Sequence, residues 1–188
     1  MTDLIESLAD QLDWHWRHQA RPRLEGLADE EYLWEPVEYA WSVRRRDDPA
    51  PEWATMRAGS GEWLIDFAFP EPEPAPVTTI AWRLGHLIVG VLGARVHSHF
   101  GGPEADYVSW DYSGTAAGAV HQLDEAYARW AAGVRSLTEE GLLRPVGPAE
   151  HDFAALPMRD LVLHINREMI HHLAEIALLR DLWANRDG

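Results

Sequence analysis

The sequence predicts an all-α protein, a bundle of four long helices forming one domain over residues 1–188. Three observations lead there. Four stretches carry apolar residues at helical spacing, and only one short run alternates as a strand does. Prolines and glycines collect between those stretches, where they end helices and make turns. The length suits a single domain with a sizeable core, and there is no internal repeat and no heptad run long enough for a coiled coil.

The first helix is expected over residues 3–20. Leu4, Leu8, Leu12 and Trp16 recur at i, i+4, and Thr2 or Asp3 could cap its start. His15 and His18 near its end read as a polar surface pair, where cationic histidine is favourable. Residues 21–77 form a long connection. Leu27 to Trp34 could make a short helix. Trp63, Ile65, Phe67 and Phe69 alternate like a short strand, and the acidic, proline-rich run from Pro70 to Pro76 reads as an extended spacer. A connection of this length in a compact domain usually covers something, and Trp34, Trp41, Trp53 and Trp63 could pack it over one end or side of the bundle.

The second helix is expected over residues 78–100, TTIAWRLGHLIVGVLGARVHSHF. Thr78 or Thr79 caps it, and Ile80, Leu84, Leu87 and Val91 mark its buried side. Gly85, Gly90 and Gly93 cost helix stability but allow a neighbouring helix or a ligand to approach closely. Gly101, Gly102 and Pro103 end it. After a loop holding Tyr107, Trp110 and Tyr112, a third helix is expected over 115–137, with Val120, Leu123, Tyr127, Trp130 and Val134 facing the core. A second connection over 138–156 leads to the fourth helix, Leu156 to Trp183. Pro157 suits its first turn, and Leu161, Ile165, Ile176 and Leu179 recur at helical spacing.

That fourth helix carries the chemistry. His164, Glu168 and His172 follow one another at four-residue steps, and residues four apart are offset by only about 40° around a helix. The face they share also holds Leu161, Ile165 and Ile176, so it points into the core. A carboxylate there is costly unless it is paired, hydrogen-bonded or bound to a metal. In a helical bundle, metal sites are built from inward side chains on facing helices. His86, one turn inside the second helix between apolar neighbours, could complete a set with Glu168 and His172. His164 could replace His86 in that set, or orient Glu168 by a hydrogen bond. A His2Glu set suits Zn²⁺ and leaves a coordination position open, as in catalytic sites. It would also accept Ni²⁺, Co²⁺, Mn²⁺ or Fe²⁺. His171 lies about 100° round the helix from His172 and should face elsewhere. His97, His99, His121 and His151 read as surface residues.

Composition narrows the function further. The chain has no cysteine, so it has neither a disulfide framework nor a thiolate of its own. All 16 of its basic residues are arginine, which excludes Schiff-base chemistry through a lysine. A net charge of −15 argues against nonspecific nucleic-acid binding, despite the Arg44–Arg46 run. No apolar run reaches the length of a membrane span, and the N-terminus lacks the basic start and apolar run of a signal peptide. A cytoplasmic location is the resulting expectation.

Four segments, EEYLWEP, WSVR, TTIAWRLGHL and HINREMIHHLAEIALLRDLW, resemble the DinB-like superfamily, and within it an actinobacterial branch near mycothiol-dependent maleylpyruvate isomerase. The resemblance spans about residues 4–183. It implies a four-helix bundle with long connections between helices one and two and between three and four. It also implies a divalent metal held by His86, Glu168 and His172, zinc first and nickel second. Many members have His where this chain has Glu168; the maleylpyruvate isomerase branch uses Glu. The activity implied is that of a thiol-dependent S-transferase or isomerase. The open metal position would bind a low-molecular-weight thiol such as mycothiol and lower its pKa, for attack on a small electrophile. Arg83 could reach a substrate carboxylate or the thiol, or form an interhelical salt bridge. Asn166 could serve the site or only the helix packing. Two other readings stand beside this one: a non-catalytic metal-binding stress-response or binding module, and a metal-dependent hydrolase. The expected partners are a small thiol and an electrophile, with neither nucleic acid nor membrane, and the Trp-rich loops could serve a homodimer or cover the site.

Overall fold

The computed structural model describes residues 3–186. The first long helix (Leu4–His15) runs on through a π-helical segment (Trp16–Ala20) to a last turn at Arg21–Arg23. Asp3 caps it, its carboxylate accepting from the Ile5 N–H at 3.2 Å; Thr2, the other capping candidate, lies outside the described residues. The second begins at Ile80, where the Thr79 hydroxyl accepts from the Trp82 N–H at 3.1 Å. Its α-helical start (Ile80–Gly85) passes into a π-helical segment (His86–Gly93) and returns to α-helix (Ala94–Phe100) before Gly101. Gly101 takes φ 68°, a left-handed ending that glycine adopts without steric cost. The third (Ala116–Arg135) is capped by Thr115 and the fourth (Met158–Ala184) starts just after Pro157.

The first and second helices each pack against the third and the fourth. The stripes expected to be buried are buried: Ile80, Leu84, Leu87 and Val91; Val120, Leu123, Tyr127, Trp130 and Val134; Leu161, Ile165, Ile176 and Leu179. Each fully buried large apolar side chain contributes about 1.5–3 kcal/mol by leaving water, which is why one continuous stripe per helix suffices to fix the bundle. Leu4, placed in the first helix's stripe by its spacing, is instead exposed. No helix among the described residues is long and apolar enough to cross a membrane.

The fold is not purely helical, which corrects the all-α expectation. The first connection folds into a small antiparallel sheet of order β1-β3-β2, made of β1 (Val43–Arg45), β2 (Met56–Ala58) and β3 (Trp63–Phe67). Val43 pairs with Ile65 and Met56 with Phe67. The sheet lies over the start of the second helix. The Trp82 indole donates to the Asp66 carbonyl at 2.9 Å, and Trp41, Phe67 and Trp82 meet ring to ring at 5.4–5.9 Å. Trp41 also stacks on Trp53, and Trp34 meets Trp183 of the fourth helix edge-on. The tryptophans do pack the connection against the bundle. Asp66 is fully buried on β3 and is held by Arg44 at 2.8 Å and Arg57 at 3.3 Å.

The second connection contains a short helix (Glu139–Leu143) and a 3-10 segment (Pro148–Phe153). Glu150 pins that segment to the second helix, meeting Arg95 at 3.1 Å and His99 Nε2 at 2.9 Å. His99 is therefore no surface residue: its side chain is 5% exposed. The expectation failed because its partner arrives from 51 residues away.

Candidate metal centre

The centre lies between the second and fourth helices. His86 is the first residue of the π-helical segment, and His172 is a buried residue of the fourth helix. Their rings meet edge to face, with centroids 5.0 Å apart and planes at 84°. The His86 ring stacks on Trp82, 5.3 Å away, and its Nδ1 is 2.8 Å from the Tyr107 hydroxyl. His172 divides its two nitrogens between acids on its own helix: Nδ1 is 2.7 Å from Glu175 and Nε2 is 3.5 Å from Glu168.

Both imidazoles are pushed toward the neutral form. Burial, reinforced by His172, Arg83 and Arg95, pushes His86 down to about 3. Burial also lowers His172, with Arg83 adding to the effect and the Glu175 hydrogen bond opposing it. A neutral imidazole has a lone pair to give a metal, whereas an imidazolium has none. The donor types suit a borderline divalent cation, two imidazoles from facing helices and a carboxylate beside one of them, but among the described residues the only three donor atoms gathered within 4.8 Å belong to His171, His172 and Glu175. The Nδ1 hydrogen bonds to Tyr107 and Glu175 leave Nε2 of each ring as the donor, and a carboxylate behind a metal-binding histidine is a recurrent way to hold the ring and raise its basicity.

The remaining candidates are spread around this pair. Arg83 forms an interhelical salt bridge with Glu175, Nε to Oε2 at 3.0 Å, and its guanidinium lies 5.3 Å from the Trp82 ring. His164 sits 3.6 Å from Glu168, and its Nδ1 accepts from Arg167 at 2.8 Å. Asn166 turns away to the first helix, where its amide donates to the Leu8 carbonyl at 2.8 Å. Another grouping overlaps the centre. One donor atom each from His171, His172 and Glu175 lie within 4.8 Å of one another. His171, however, is exposed, and Arg83 already brings a positive charge to Glu175.

Beside the centre is a cavity of about 290 Å³ lined by Arg95, Val146, Glu150, Phe153, Leu156, Asp160, Leu161, His164 and Arg167. None of His86, Glu168 and His172 lines it, but three of its lining residues act on the centre. His164 and Arg167 reach Glu168 at 3.6 and 4.0 Å, and Arg95 acts electrostatically on His86 and Tyr107.

Sequence reasoning missed Glu175 and Tyr107. Glu175 follows His171 by four residues and His172 by three, so helical spacing could have found it as a neighbour of either. Tyr107 lies in a loop, where no period places a side chain.

Four helices packed as a bundle, with histidine and carboxylate side chains gathered between the second and the fourth, define the class of helical-bundle proteins with an interhelical donor cluster. The chain belongs to the DinB superfamily: the family model matches residues 11–176, a span that includes His86, Tyr107, Glu168, His172 and Glu175. Membership, together with the His171–His172–Glu175 cluster on the fourth helix, supports a metal-binding protein. No curated protein and no solved structure matches the chain.

Proposed function

We propose that the protein is a divalent-metal-dependent thiol S-transferase or isomerase, of the kind found in the mycothiol-using branch of its superfamily. His86, Glu168 and His172 are the metal ligands. The observation that carries this reading is the pair of imidazoles, His86 and His172, set edge to face between two helices, with Glu168 beside His172. Bound there, Zn²⁺ or Ni²⁺ would supply the positive charge that lowers the pKa of a low-molecular-weight thiol such as mycothiol toward neutrality.

The chain's own residues do the rest. With no cysteine in the chain, the sulfur has to come from a separate molecule. Glu175, fixed by Arg83, keeps the His172 ring turned with Nε2 toward Glu168. The neighbouring cavity offers apolar walls from Val146, Phe153, Leu156 and Leu161, and polar heads from Arg95, His164 and Arg167. That combination suits a small electrophile with an apolar body and a polar or carboxylate group.

Metal content of the purified protein, compared with His86→Ala and His172→Ala, tests the site. Stoichiometric metal in the parent and its loss in both variants are expected; full loading in either variant removes that residue from the ligand set. Consumption of mycothiol, bacillithiol or glutathione in the presence of a conjugated electrophile then tests the reaction. A second reading, a non-catalytic module in which the metal joins two helices, is favoured by the interhelical Arg83–Glu175 bridge, which already ties those helices at the same level. Metal-dependent melting without thiol consumption across the panel would select it.

A further inference from the structure

We propose that Tyr107 is a positioning residue for the metal centre: its hydroxyl, seated in a notch left open at Gly90, holds the His86 ring by Nδ1 so that Nε2 is presented as the donor. The inference rests on the reading of His86 as a ligand and adds to it a residue from the loop after the second helix.

Three observations carry it. First, the Tyr107 hydroxyl lies 2.8 Å from His86 Nδ1, and the His86 ring makes no other hydrogen bond among the described residues. Second, a Cβ added at Gly90 would stand 2.0 Å from the Tyr107 hydroxyl oxygen, 2.8 Å from its Cζ and 3.3 Å from His86 Nδ1. The phenol thus occupies the space that any other residue at position 90 would fill. Gly90 lies inside the π-helical segment that His86 begins, so one irregular stretch of helix supplies both the ring and the opening that admits its partner. Such π-helical insertions are rare and recur at functional sites. Third, Tyr107 is itself fixed. Its ring meets Phe67 of β3 edge-on, with centroids 5.0 Å apart, and the Tyr112 hydroxyl donates to its carbonyl at 3.2 Å. The sheet therefore braces Tyr107, and Tyr107 braces His86. With Trp82 stacked on one face of the imidazole, the ring has little freedom to turn.

Coordination through Nε2 places the imidazole proton on Nδ1, where it donates to the Tyr107 oxygen. A partner of this kind, removed, typically lowers metal affinity by about 10–100-fold.

The test measures the zinc dissociation constant of the full chain by competition with a chromophoric chelator, and the d–d absorption of the cobalt-loaded protein. The proteins are the parent, Tyr107→Phe, Gly90→Ala, the double variant and His86→Ala. Tyr107→Phe and Gly90→Ala are each expected to weaken zinc binding by about 10–100-fold and to alter the cobalt spectrum, with circular dichroism unchanged. The double variant should lose less than the product of the single losses, because both remove one contact. In the zinc-loaded parent, the ¹⁵N spectrum should show His86 protonated at Nδ1. Parent-like affinity and cobalt spectrum in Tyr107→Phe or in Gly90→Ala, with His86→Ala unable to bind, overturn the positioning role and leave the ligand assignment standing. Parent-like affinity in His86→Ala overturns the ligand assignment, and the positioning role with it.

Discussion

At the scale of single residues, His172 is held at both ring nitrogens. One nitrogen faces Glu175 at 2.7 Å and the other faces Glu168 at 3.5 Å. Removing the charge at Glu175 should loosen the ring and strip the half-buried Arg83 of its carboxylate. Glu175→Gln is therefore expected to weaken zinc binding by about tenfold or more, while His171→Ala leaves it unchanged; a chelator competition assay reads both. The reverse pattern, with His171→Ala abolishing binding, would move the metal to the outer His171–His172–Glu175 grouping. Asn166 separates site from scaffold on the same helix. It is 2% exposed and ties the fourth helix to the Leu8 carbonyl. Asn166→Ala should cost about 1–2 kcal/mol in a denaturant titration and leave metal affinity untouched. Helical spacing and the family resemblance were enough to single out His86, Glu168 and His172. Spacing also offered Glu175 as a neighbour of His171 and His172 but not its bridge to Arg83 on another helix, and it was silent on Tyr107, whose role depends on β3 and Gly90 standing opposite.

At the scale of elements, the second helix does more than carry a ligand. Its π-helical segment sets His86 against His172, and its last turns receive the 3-10 segment through Glu150. Burial opposes ionisation of Glu150, but the His99 hydrogen bond and the Arg95 charge outweigh it and hold the carboxyl below its usual range. A carboxylate whose pKa is lower folded than unfolded adds stability above its unfolded value and loses it as pH falls through the folded value. Glu150→Gln should therefore cost about 2 kcal/mol near neutral pH, and the deficit should shrink as both proteins are acidified below the ordinary carboxylate range. Urea titrations at several pH values check this; a deficit independent of pH would mean that packing, not charge, holds the segment. The four helices were legible because each buries one continuous stripe of apolar residues. The sheet was not. β1 and β2 are three residues long, too short for alternation to register, and β3 buries Asp66 where the pattern calls for a polar face toward solvent. Only the pairing with Arg44 of β1 and Arg57 of β2 makes that carboxylate tolerable. The three glycines of the second helix were expected to admit a helix or a ligand. Gly85 and Gly90 instead admit Ile65 of β3 and Tyr107 of the following loop.

At the scale of the whole molecule, a metal held by His86, Glu168 and His172 would join two helices that are far apart in sequence, so binding and folding are coupled. A ligand that binds only the folded state adds RT ln(1 + [L]/Kd), about 4 kcal/mol at a thousandfold excess over Kd. For a domain of this size, each kcal/mol raises Tm by about 2–4 °C, which gives a rise of about 8–16 °C on loading. The net charge of −15 complicates any such measurement. An acidic surface gathers divalent cations nonspecifically, and relief of its self-repulsion also stabilises the fold. The two effects separate by salt and by mutation. Surface attraction is largely screened at physiological ionic strength, where the Debye length is about 8 Å, whereas a coordination bond at a buried site is not. Calorimetry at that ionic strength should therefore keep the zinc-dependent rise in the parent protein and lose it in His86→Ala. A rise that survives in His86→Ala but disappears with salt would assign the stabilisation to the acidic surface and remove the second helix from the metal centre.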